Sequence, residues 1–131
     1  MNSPLRVDAR PCPTCPYRTD CPSGLWAATE YEKLKAFDEM PGRIATFLCH
    51  QSNATGTPTV CRGWAITHGD GAAVRIALAI GELPPHAVEP TDIELWPTGR
   101  AAAEHGLAEL AEPGPAARAK MASLARRGVA R

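Results

Sequence analysis

Apolar positions along this chain recur at helical spacing more often than at strand spacing. Between residues 30 and 39, Tyr31, Leu34 and Phe37 fall three apart and share one face, so the pattern predicts a helix there. Thr29 and Glu32 have the spacing of a capping box at its start, and Met40-Pro41-Gly42 stops it. From Trp64 to Ile80 the chain is apolar and alanine-rich, and Gly69-Asp70-Gly71 divides it into two short helices. Gly81-Glu82-Leu83-Pro84-Pro85 closes that run. Residues 82–97 read as a connection with one helical turn near Thr91-Asp92-Ile93-Glu94. Thr98 is placed to cap a helix over 99–111, ended by Glu112-Pro113-Gly114-Pro115, and a last helix over 116–127 runs out at Gly128. No stretch shows convincing period-two alternation, and no segment repeats. The expected fold is therefore mainly α, a small single domain with irregular metal-ligand loops in its N-terminal half and helices in its C-terminal half.

Composition sharpens this picture. Apolar residues make up 44% of the 131, but many are alanine, and only three Trp, two Tyr and two Phe supply bulk. A core so short of large side chains commonly needs a staple, either a disulfide or a metal. The pattern divides the chain into a flexible lead-in over 1–11, a metal-centred helical domain over 12–112 and a basic C-terminal helix or tail over 113–131. Met1–Arg10 has no apolar stretch of signal-peptide type, and the longest apolar run, Ala72–Ile80, contains Arg75 and is too short to span a bilayer. A cytoplasmic location without a membrane partner is expected, and reduced thiols with it.

Five cysteines carry the candidate chemistry. Cys12 and Cys15 form a C-x-x-C step inside Pro11-Cys12-Pro13-Thr14-Cys15-Pro16, and Cys21, Cys49 and Cys61 follow. A C-x-x-C step lets two sulfurs reach one metal or cluster, and flanking prolines hold the backbone open as a ligand loop needs. A thioredoxin-type redox pair fits poorly, because no strand precedes the motif. Zinc ribbons present two C-x-x-C knuckles, whereas the second pair here, Cys49 and Cys61, is widely spaced. Cys-Pro dipeptides at 12–13, 15–16 and 21–22 are reminiscent of cluster-binding runs, which favours an iron–sulfur cluster over zinc. His50, next to Cys49, is a reserve ligand or a neighbour of the ligands. Trp26 and Trp64 lie near cysteines and would shield a centre or simply pack, while Arg18 and Arg62 would either offset thiolate charge or be exposed arginines without that role.

Two resemblances follow from these residues. Cys12-x2-Cys15-x5-Cys21, Gly24-Leu25-Trp26 and Thr29-Glu30-x-Glu32 resemble the WhiB-like regulators of actinobacteria, which hold a [4Fe-4S] cluster. Over most of the chain, CPYR, PSGLW, EYEKL, CHQ, CRGW and TGRAAAEHG resemble an uncharacterised Cys-rich family from actinobacteria and their phages. That second resemblance implies Cys12, Cys15, Cys49 and Cys61 as the metal ligands, with Cys21 spare and His50 a feature without an assigned role. Both are silent on catalysis, and the sequence has no phosphate loop, no nucleophile triad and no paired catalytic carboxylates. The expected function is a non-enzymatic iron–sulfur regulator or sensor, favouring [4Fe-4S], that acts through a host protein partner. Two other classes stand beside it. One is a zinc-stapled module binding nucleic acid through Arg118, Lys120, Arg126, Arg127 and Arg131, although the zero net charge gives that no general support. The other is an electron-transfer protein.

Overall fold

A chain with few large side chains places them together. Trp26, Trp64, Tyr17, Tyr31, Leu25 and Leu34 are all essentially inaccessible to solvent and form the centre of packing. The computed structural model describes residues 5–38, 48 and 59–129. Its helices are α1 (Ala28–Asp38), α2 (Arg62–Thr67), α3 (Ala72–Ala79), α4 (Gly99–Ala108) and α5 (Pro115–Arg126), with a 3-10 turn at Pro85–Val88. Two short strands, β1 (Arg6–Val7) and β2 (Thr59–Val60), complete the described elements. The chain is mainly α, as its periodicity predicts, and no described helix is long and apolar enough to cross a membrane.

Helix α1 turns Tyr31 and Leu34 inward and carries Glu30–Lys33 and Glu32–Lys35 pairs on its outer face. It begins at Ala28, so Thr29 lies in the first turn and the expected capping box is not its start. The entry is held instead by the Tyr31 hydroxyl, which accepts the Trp26 amide at 3.0 Å. Helix α4 crosses α1 at very close range. A Cβ on Gly99 would overlap the Leu34 carbonyl, and one on Gly106 would overlap the Tyr31 ring, so hydrogen is the only side chain with room at either position.

Both ends of α4 are satisfied by side chains. Thr98 caps it as expected, accepting the Ala101 amide at 3.0 Å, and the Asp38 carboxylate accepts the Gly99 and Arg100 amides at 2.8 Å each. At the other end Ser23 accepts the Glu109 amide and donates to the His105 carbonyl, while the Gly24 amide donates to Gly106. Gly24 adopts φ +79°, a conformation that favours glycine, and it lies against the Glu109 carbonyl. The Pro22-Ser23-Gly24 turn is thus the seat of α4.

Two expectations change. Residues 5–11 belong to the packed domain: β1 pairs in parallel with β2, Arg6 opposite Thr59 and Val7 opposite Val60, and Val7 and Pro11 are buried. The helical turn expected near Thr91–Glu94 occurs at Pro85–Val88, where proline presets φ for the first turn. The basic C-terminal segment docks, with Ala117, Leu124 and Val129 buried while Arg118, Arg126 and Arg127 stay exposed.

Candidate metal centre

Consecutive turns order the cysteine loop. The Cys15 amide donates to the Cys12 carbonyl, the Arg18 amide to Cys15, and the Cys21 amide to Arg18. This repeated three-residue step is what the prolines between the cysteines permit, since Pro13, Pro16 and Pro22 have no amide to satisfy. Arg18 locks the loop further, with a two-pronged contact to Asp20 at 2.7 Å and a bond to the Pro11 carbonyl.

β2 delivers Cys61 to the same place. Cys61 is the N-cap of α2, its sulfur accepting the Trp64 amide at 3.4 Å, and it stands 3.5 Å from the Cys15 sulfur. Both are buried. Cys12 is half-buried, its sulfur 3.2 Å from the Thr14 hydroxyl, and it lines one pocket with Cys15 and Cys61. Gly63 makes room here, because a Cβ at that position would stand 2.6 Å from the Cys15 sulfur.

Of the four ligands expected from sequence, Cys12, Cys15 and Cys61 line one pocket, and the Cys15 and Cys61 sulfurs are 3.5 Å apart. Cys49 and His50 lie outside the described residues. Leu48, which precedes Cys49 in the chain, bridges Val60, which precedes Cys61. Among the described residues no three His, Cys, Asp or Glu side chains already surround a single ion-sized point. No disulfide joins two of the described cysteines.

Cys21 does not line this pocket, although Cys15 and Cys12 lie near it. It is buried, and its thiol donates to the Thr14 carbonyl at 3.6 Å. Burial pushes its pKa up to about 12, and nearby Cys15 and Cys12 add to the rise, so it stays a neutral thiol.

The surroundings contain groups that spacing alone did not single out. Thr14 accepts the Trp26 indole N–H at 2.9 Å through its carbonyl, fixing the loop to the core. Trp64 packs edge-on to Phe37 and tilted on His68. Tyr17 lies 3.2 Å from His68 Nε2 through its hydroxyl. Burial first, then the Cys61, Asp38 and Cys15 charges, holds Tyr17 protonated far above the ordinary tyrosine range. A protonated Tyr17 hydroxyl can donate to Nε2 or accept from it, and the direction follows the His68 tautomer. Burial lowers the His68 pKa, partly offset by Asp38, whose carboxylate lies 3.5 Å away. The only sequence signal for this pair was the Tyr that follows Cys15-Pro16.

Fold and site together define a small, mainly α domain with a thiol-lined pocket at the junction of a proline-punctuated loop and a helix N-terminus. The chain belongs to DUF6283, a family of unknown function, whose profile matches residues 7–127. No curated protein and no solved structure matches it.

Proposed function

We propose that this chain is a metal–thiolate protein in which Cys12, Cys15 and Cys61, joined by Cys49, hold an iron–sulfur cluster. The observation that carries the reading is the convergence of Cys12, Cys15 and Cys61 on one pocket from two distant segments. Thiolates are soft ligands suited to iron–sulfur clusters and zinc, and the residues present fit either group. Its role is that of a non-enzymatic regulator or sensor acting through a protein partner. The WhiB-like pattern over Cys12–Glu32 supports that role, as does the half-buried Cys12, which leaves one edge of the centre accessible.

One observation favours zinc as a second reading. A tetrahedral site with metal–sulfur bonds of about 2.3 Å has sulfurs about 3.8 Å apart, near the 3.5 Å between Cys15 and Cys61. A two-iron cluster, with two thiolates on one iron, satisfies the same distance. A four-iron cluster gives each thiolate its own iron and sets the sulfurs farther apart.

Anaerobic purification with iron, sulfide and zinc analysis tests these readings. Brown protein with acid-labile sulfide is expected, lost in Cys12→Ser, Cys15→Ser, Cys49→Ser and Cys61→Ser but kept in Cys21→Ser. Colourless protein with one equivalent of zinc, after cluster reconstitution has also failed, selects the zinc reading. Metal loss in Cys21→Ser with retention in Cys61→Ser overturns the ligand set. A partner captured equally by metal-loaded and apo protein removes the sensing role.

A further inference from the structure

Four arginines surround the cysteine loop, and three of them face an acid. Arg6 pairs with Asp8 at 3.6 Å, Arg10 with Asp92 at 3.1 Å and Arg18 with Asp20 at 2.7 Å. Arg62 is the most buried of the four, at 6% exposure, and among the described residues no carboxylate meets it. Its two terminal nitrogens reach only backbone carbonyls, Glu89 at 3.0 Å and Asp8 at 3.5 Å. Its Nε is buried with no partner among the described residues. A guanidinium does not shed its proton, so this position holds a full positive charge away from water. Such a charge is costly unless an anion compensates it. Arg62 adjoins Cys61 in the chain and lines the same pocket as Cys12, Cys15 and Cys61.

We propose that Arg62 is the built-in counter-cation of the thiolate centre, a positioning residue whose buried charge balances the metal-bound cysteines. The inference rests on the metal–thiolate reading. Four thiolates around a divalent ion, or around a cluster core of the same charge, carry a net charge of about −2. Arg62 supplies one opposite charge from inside the fold, where salt does not screen it. Arg10 also lines the pocket but is exposed and paired with Asp92, while half-buried Asp8 is an acid and cannot balance thiolates.

The test compares wild type, Arg62→Met and Arg62→Lys, each loaded with zinc and, separately, reconstituted with iron and sulfide. Release of metal to excess chelator and melting of loaded and apo forms are measured. Arg62→Met is expected to release metal at least about tenfold faster than wild type, with Arg62→Lys within about threefold. In the apo protein the buried cation lacks the metal-bound thiolates that would balance it, so apo Arg62→Met should melt no lower than apo wild type. A merely structural arginine predicts the reverse: Arg62→Met melts lower in both forms and Arg62→Lys releases metal as fast as Arg62→Met. Either result overturns the proposal. Should Arg62→Met fail to fold, Arg62→Gln is judged by the same ratio to Arg62→Lys. Wild-type protein that takes up neither zinc nor a cluster overturns the metal reading itself, and the role of Arg62 with it.

Discussion

A methyl group on residue 63 would stand 2.6 Å from the Cys15 sulfur and 3.0 Å from the Tyr17 Cβ. Both neighbours are buried, so neither can swing into solvent to make way. Gly63→Ala should therefore displace Cys15 from Cys61 and cost about 1–3 kcal/mol in overpacking. Metal analysis and urea denaturation of the purified variant check this, with lowered metal content and a lower midpoint expected together. An unchanged midpoint and full metal content would show that the loop has slack the contact distances do not suggest. The cysteines themselves were readable in sequence, because thiol type and C-x-x-C spacing are local properties. The purpose of Gly63 was not, since it depends on a sulfur brought up from a remote segment. Tyr17 and His68 were illegible for the same reason.

At the scale of elements, α4 is gripped at both ends by other segments. Asp38, the last residue of α1, accepts the first two amides of α4, and Ser23 seats its other end. A carboxylate at a helix N-terminus gains from both the hydrogen bonds and the helix dipole. Asp38→Ala should lower stability by about 1–2 kcal/mol, and Asp38→Asn by less, as read from denaturation midpoints. Here the sequence was legible in part. Thr98 announced the start of α4 because capping is a short-range pattern, whereas Asp38 caps from another helix and leaves no local trace. The reading of Thr29 and Glu32 as a capping box misplaced the start of α1. Its entry is fixed by the Trp26–Tyr31 bond, and Glu32 pairs with Lys35 instead. β1 and β2 escaped notice because two residues are too few to alternate.

For the molecule as a whole, acid should weaken the fold through His68. In the unfolded chain this histidine takes its proton near 6.5, and in the fold burial lowers that value. As pH falls below about 6.5, the unfolded state binds more protons than the native state, so stability declines; above it the His68 contribution is constant. Denaturation midpoints of reduced apo protein at pH 7.5 and pH 5.0 should show this loss, and His68→Gln should flatten it. A slope unaltered by His68→Gln would assign the pH dependence to other groups. The Cys15–Cys61 contact has a different consequence, which belongs to chain topology. The two sulfurs are 46 positions apart. A tie between them would close a loop around α1 and all that lies between. By the chain-entropy estimate such a closure withdraws about 4 kcal/mol of freedom from the denatured ensemble. A metal there would work as a reversible crosslink, installed after synthesis and removable without cutting a covalent bond.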